Sequence, residues 1–184
     1  MAKIRRPSGI AGAWEKDKGD PMKVQELMVK NVACCRGTQN LAEIAEILWN
    51  TRRGSLPVIS EEGVLESMIT DRDVAIALGT RNARASEIRV SDVVPARVFT
   101  CRAGDDALDA LDTMVSQNIR RLPVVDENKL AGILSLDDLI RRAALFLPDE
   151  IEFHTAVMAA ARKICEAREP GMTHESAELL AANA

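Results

Sequence analysis

Much of this chain is written twice. Leu56-Pro57-Val58-Ile59 returns as Leu122-Pro123-Val124-Val125, an offset of 123 − 57 = 66 residues. Val24-Gln25-Glu26-Leu27-Met28 returns as Val90-Ser91-Asp92-Val93-Val94, again at 90 − 24 = 66. Met68-Ile69-Thr70-Asp71-Arg72-Asp73-Val74 matches Ile133-Leu134-Ser135-Leu136-Asp137-Asp138-Leu139 at 138 − 73 = 65. The lost residue falls in the tight connections Glu61-Glu62-Gly63 and Glu127-Asn128-Lys129. Three blocks in one order make each copy the same supersecondary unit.

Both copies share an internal order. A short apolar strand (Asn31 to Cys35; Arg97 to Cys101) precedes a polar turn and then a helix. Leu41, Ile44, Ala45 and Leu48 recur at helical spacing in the first copy, as do Ala107, Ala110, Leu111 and Met114 in the second. Two strands joined by a tight turn follow: Ser55 to Ile59 with Val64 to Ile69, and Arg121 to Val125 with Leu130 to Leu134. A second helix closes each unit, Asp71 to Leu78 and Leu136 to Ala144. One β-α-β-β-α unit is too small to bury its own apolar sheet, so the two must pack together. The expected class is α/β (α+β): two such repeats and a C-terminal helical extension.

The expected boundaries are a disordered tail over 1–20, a first repeat over 21–80 and a linker over 81–89. A second repeat over 90–145 and an extension over 146–184 complete the chain. In the extension, Pro148 suits a first helical turn, and Asp149, Glu150 and Glu152 complement the helix dipole. Phe153, Val157, Ala160, Ala161 and Ile164 form one apolar stripe, with Arg162, Lys163 and Arg168 toward the C-terminal end. Pro170-Gly171 stops the helix, and residues 178–184 form a further short helix or a frayed tail.

Charge and cysteine content narrow the function. A net charge of −4 opposes non-specific nucleic-acid binding, against which Arg52-Arg53, Arg120-Arg121 and Arg141-Arg142 weigh little. The four cysteines, Cys34, Cys35, Cys101 and Cys165, include no C-x-x-C pair, and His154 and His174 lie far from Cys34-Cys35. They read as small buried hydrophobes in a reducing compartment, with no zinc site. Residues 1–20 hold no apolar signal-peptide core, and no apolar run approaches membrane-spanning length. A cytoplasmic location and no membrane partner are expected. Nothing in the spacing suggests an enzyme: no Gly-rich phosphate loop, metal cluster or nucleophile–base pair stands out.

The chemistry gathers where the third strand of each copy becomes a helix. Thr70 and Ser135 stand at those junctions, each with an aspartate three residues on, Asp73 and Asp138. Locally this is close to a capping box, although Glu or Gln would reach back better than Asp. Alternatively, a carboxylate at a helix start can accept two hydrogen bonds from a ribose, while free N–H groups beside it meet phosphate.

The paired L-P-V-[IV] strand and [TS]-x-x-D-[VL] helix start, with blocks such as MITDRDV and IRRLPVVD, resemble the CBS-domain family in its tandem form, the Bateman module. The resemblance covers about Met22 to Ala144. It implies packing about a pseudo-two-fold axis, a homodimer, and an adenine nucleotide (AMP, ADP or ATP) as a regulatory ligand, with no required cofactor. It also implies two clefts. One combines Ser135 and Asp138 with the loop at Thr38 and the strand start Gly54-Ser55. The other combines Thr70 and Asp73 with the loop Ala103 to Asp105 and the strand start Arg120-Arg121. Arg72, Arg120 and Arg121 either neutralise phosphate or are solvated surface charges. Gly54-Ser55 facing Arg120-Arg121, and Ser67 facing Gly132, make the clefts unequal. The competing expectation is a scaffold that dimerises through the repeats and docks a protein on the Phe153 to Ile164 stripe.

Overall fold

The computed structural model of the protein describes residues 22–145 and 151–166. Expectations placed on residues 1–20, Pro148, Arg168, Pro170-Gly171 and 178–184 lie outside them. The first repeat holds α1 (Val24–Leu27), α2 (Leu41–Thr51), β1 (Ser55–Ile59), β2 (Leu65–Thr70) and α3 (Asp71–Thr80). The second holds β3 (Cys101–Arg102), α4 (Ala107–Ser116), β4 (Arg121–Asp126), β5 (Lys129–Ser135) and α5 (Leu136–Ala143), and α6 (Ile151–Glu166) follows.

Matched residues start and stop matched elements. Asn40 caps α2 by accepting from the N–H groups of Ala42 and Glu43, and Asp106, 66 residues on, caps α4 through Leu108. Arg52 and Asn118, also 66 apart, follow those helices in the left-handed region at φ 52° and 51°. Asparagine tolerates that conformation better than arginine. β1 and β2 pair antiparallel around the three-residue turn Glu61–Gly63, with Ser60 N–H donating to Val64 at 2.9 Å. β4 and β5 close around two residues, Glu127 and Asn128, both at positive φ as a primed hairpin turn requires. That turn holds the missing residue of the 65-residue offset.

The expected opening strands are almost absent. From Asn31 to Cys35 only Cys35 bridges, to Val58, and in the second copy pairing is confined to Cys101 and Arg102 against Val124 and Val125. Each copy needs just enough pairing to tether its first helix to the hairpin.

The repeats are related by a pseudo-two-fold axis, visible as reciprocal hydrogen bonds. Val24 N–H donates to Asp105 at 3.0 Å, and Val90 N–H to Gln39 at 2.9 Å. Ala107 donates to Met22 at 2.8 Å and Leu41 to Ile88 at 3.0 Å. Across the hairpins, Leu65 donates to Asn128 and Leu130 to Gly63. The opening segments have therefore changed places. Val24 is fully buried among Leu111, Met114, Leu122 and Leu139 of the second repeat. Ile88 and Val90 are buried among Leu41, Ile44, Leu56 and Ile69 of the first. The expected linker over 81–89 is thus partly core.

One strand contact breaks the symmetry. Val29 and Ile133 exchange two backbone hydrogen bonds at 2.8 and 3.0 Å. This approach requires Gly132, because a Cβ there would stand 2.6 Å from the Val29 carbonyl oxygen. At the matched place in the first repeat the chain has Pro95, which lacks an N–H, and Ser67 donates its hydroxyl to the Pro95 carbonyl at 2.7 Å.

The helix α6 lies across α4 and α5. Phe153, Ala156, Val157, Ala160 and Ile164 are buried there in one cluster with Leu111, Met114, Leu139 and Ala143. The stripe expected to dock a partner is occupied by the chain's own second repeat.

Candidate functional site

The two strand-to-helix junctions come out alike. Thr70 and Ser135 are the N-caps of α3 and α5, each accepting at 3.2 Å from the N–H of its aspartate. Each aspartate answers through Oδ2. Asp73 accepts from the Thr70 N–H at 2.8 Å and hydroxyl at 2.7 Å, and Asp138 accepts from the Ser135 N–H at 3.0 Å and from its hydroxyl. Asp proves long enough for the reciprocal bond because the β-region N-cap turns its own N–H toward the first helical turn. The capping reading is therefore realised at both junctions, and it uses only one carboxylate oxygen of each pair.

The second oxygens differ. Asp138 Oδ1 accepts from Arg141 Nη2 at 2.7 Å, whereas Asp73 Oδ1 makes no hydrogen bond among the described residues. Ile76 occupies the place matched to Arg141. Both aspartates are half-buried, so the second oxygen of Asp73 stays available as an acceptor.

The strand starts sit beside their own helix starts. Ser55 pairs with Thr70 and Arg121 with Ser135 in register. Asp71 N–H donates to Gly54 at 3.1 Å, and Leu136 N–H to Arg120 at 2.9 Å. Across the pseudo-dyad, a Cβ on Gly54 would stand 3.2 Å from Asp71 Oδ2 and 3.9 Å from Arg121 Nη1. Arg121 of the second repeat thus approaches the α3 start of the first, with Gly54 between them. Ser55 is buried, yet its hydroxyl makes no hydrogen bond among the described residues.

Other expected residues are not drawn together by direct bonds. Thr38 is exposed at the tip of the turn before α2. Asp105 spends Oδ2 on its own turn, accepting from the Arg102 N–H at 2.7 Å. Arg72 is exposed, its N–H bonded to Asp71 Oδ1. Arg120 turns the other way: its Nη2 reaches Cys165 Sγ of α6 at 3.7 Å, and its buried Nε has no partner among the described residues. Sequence reasoning missed that α6 ends beside this strand start. The stripe of α6 was legible, but nothing in its spacing says which face it covers.

The cysteines separate by environment. Burial pushes the Cys35 and Cys101 thiols up to about 12, Cys34 is raised more modestly by the same cause, and Cys165 is exposed. Among the described residues no group of three His, Cys, Asp or Glu side chains is placed to hold a metal, and no helix is long and apolar enough to cross a membrane.

Two β-hairpins and their helices, interlocked about a pseudo-dyad and carrying hydroxyl–aspartate helix starts, define a tandem-repeat α/β architecture. The chain belongs to the CBS-domain family, whose model matches residues 24–80 and 90–145. A CBS domain-containing protein, YhcV of Bacillus subtilis, is 36% identical over 116 residues, covering 63% of this chain and 81% of that protein. Among solved structures, the CBS domain pair of protein MJ0100, in complex with 5-methylthioadenosine and S-adenosyl-L-methionine, is 25% identical with a TM-score of 0.60. That match covers 66% of this chain and 98% of the other. CBSX2 in complex with AMP shares the fold at 24% identity and a TM-score of 0.60, over 67% and 97% of the two chains.

Proposed function

We propose that the protein is a regulatory module, not an enzyme, that binds an adenine nucleotide (AMP, ADP or ATP) between its two repeats. Binding is transmitted by a change of conformation or of assembly, in a homodimer. The observation that carries this reading is the half-used carboxylate: Asp73 is fixed by its capping box while Oδ1 is left without a partner among the described residues. A rigid acceptor beside the N–H groups of a helix start suits a ribose hydroxyl next to a phosphate. The adenosyl ligands held by the MJ0100 domain pair support the ligand class.

Within this reading the clefts are unequal. Thr70 and Asp73, with Arg121 nearby and Arg120 and Asp105 on the flanking strand start and loop, form the stronger site. Ser135 and Asp138, with Thr38, Gly54 and Ser55, form the weaker one, since Arg141 already occupies the free oxygen of Asp138. Calorimetric titration with AMP, ADP and ATP tests it. Asp73→Ala removes charge-assisted bonds worth about 1.5–3 kcal/mol, a loss of about 10- to 150-fold in affinity, and Asp138→Ala removes less. Equal affinity in wild type and the double variant, with both folded by circular dichroism, overturns the assignment.

A further inference from the structure

The two repeats differ at the strand start that flanks each cleft. Gly54 leads into β1 and has no side chain, whereas Arg120, at 120 − 54 = 66 residues on, leads into β4 with a long cation. They differ also in cover. The helix α6 lies over α4 and α5, while Trp49 on α2 and Ile76 on α3 stay exposed among the described residues. The long cation and the covering helix occur in the same repeat, and they touch. Arg120 Nη2 reaches Cys165 Sγ, in the last turn of α6, at 3.7 Å.

That contact leaves the guanidinium underused. Nε and Nη2 form one edge of the group, a rigid fork of two N–H bonds that fits two oxygens of a phosphate or carboxylate. Nη2 has a sulfur, a weak acceptor, and the buried Nε has no acceptor among the described residues. A buried donor without a partner is costly, so an anion presented to this edge gains two charge-assisted bonds in exchange for one weak one. The backbone beneath is fixed: the Arg120 carbonyl accepts from the Leu136 N–H at 2.9 Å, and Arg121 pairs with Ser135. Only the side chain has to move. On α6, Ile164 is buried, but Cys165 and Glu166 beyond it are exposed, and Glu166 bonds back to Arg162 of its own helix. The last turn is the part of α6 that depends least on the core.

We propose that Arg120 is shared between α6 and the ligand: a phosphate in the Thr70–Asp73 cleft takes the Nε–Nη2 fork, Arg120 leaves Cys165, and the last turn of α6 loosens. The inference rests on the nucleotide reading above and deepens it, naming α6 as the element that reports occupancy. The signal needs the anion, so AMP sends it and adenosine does not. Linkage makes it reciprocal: whatever removes the contact at Cys165 strengthens AMP binding by the same factor.

Hydrogen–deuterium exchange of the full chain, read at the amides of residues 163–166 beside calorimetric titration, tests this. Saturating AMP is expected to speed exchange there by about 2- to 5-fold, and adenosine to leave it unchanged. Cys165→Ala, at an exposed position, is expected to tighten AMP binding by a similar factor and to leave adenosine binding alone. Arg120→Ala is expected to weaken AMP by about 10-fold or more, to keep adenosine within about twofold, and to abolish the response of α6. AMP bound with no change at α6, adenosine acting as AMP does, or Cys165→Ala without effect on AMP affinity each overturns the coupling. If AMP affinity is lost in Asp73→Ala but untouched in Arg120→Ala, the nucleotide reading stands and this inference alone fails. A wild type that binds no AMP, ADP or ATP refutes the nucleotide reading, and the coupling with it.

Discussion

The first and second repeats began from one pattern and have diverged most where they meet the outside. Inside, Leu56 and Leu122, Val58 and Val124, and Ile69 and Leu134 occupy matched buried places. Outside, the second repeat has gained a helix over α4 and α5, while the first keeps Trp49 in the open. The strand contact at Val29 and Gly132 has become a hydroxyl bond between Ser67 and Pro95. The core needs two equal halves to close the pseudo-dyad; the surfaces and the ligand clefts do not, and there the copies are free to specialise.

The sharpest way to break this comparison is to truncate one aromatic on each face. Phe153→Ala, under α6, is expected to cost about 3–5 kcal/mol, since the ring is 7% exposed within the second core. Trp49→Ala on the bare face is expected to change monomer stability by less than about 0.5 kcal/mol. Urea denaturation at a dilution where the protein is monomeric measures both. Equal losses mean that the faces are not different after all.

A smaller effect distinguishes the strand contacts. Gly132→Ala pushes a methyl group into the Val29 carbonyl and is expected to cost about 1–3 kcal/mol. Ser67→Ala forfeits one hydroxyl bond, at about 0.5–1.5 kcal/mol. If the alanine at 132 proves the milder of the two, the strand approach is softer than a packed backbone contact allows.

At neutral pH the smallest effect concerns a pair that has stayed alike. Cys35 and Cys101, 101 − 35 = 66 residues apart, both have thiols pushed up by burial to about 12 from an ordinary 9.0. Above the ordinary value the unfolded chain ionises these thiols and the folded chain does not, so ionisation favours unfolding. Stability is expected to fall between about pH 9 and 12, and Cys35→Ala or Cys101→Ala is expected to flatten that fall by a similar amount. Thermal unfolding across that range measures it. A large difference between the two variants breaks the equivalence of the sites.

Much of the architecture was legible because periodicity reports burial. The repeated L-P-V-[IV] block located β1 to the residue, and helical spacing located α2 and α4. The one-residue difference between the hairpins was readable as a shorter turn. Periodicity does not report which neighbour a buried face meets, however. Val24 and Val90 carry the same local pattern, so nothing in either segment reveals that each completes the other repeat's core. The same limit hid the resting place of α6. At the candidate site, the Thr70–Asp73 and Ser135–Asp138 pairs stood out by spacing, but the partner of Asp138 Oδ1 did not. It depends on Arg141, one turn along α5, where the first repeat has Ile76.

The crossing of the opening segments makes the two halves something other than separable domains. A ribosome that has released the first repeat has not yet supplied Ile88 and Val90, which close that core, and Val24 must wait for a partner more than eighty residues downstream, as 105 − 24 = 81 shows. Such distant pairings slow folding, because the chain must close a long loop before any contact stabilises it. A nick in the loop between α3 and Ala85 would leave two fragments, each lacking a piece of its own interior and carrying a piece of the other's. They are built to fold by complementation, as one interlocked body cut in two.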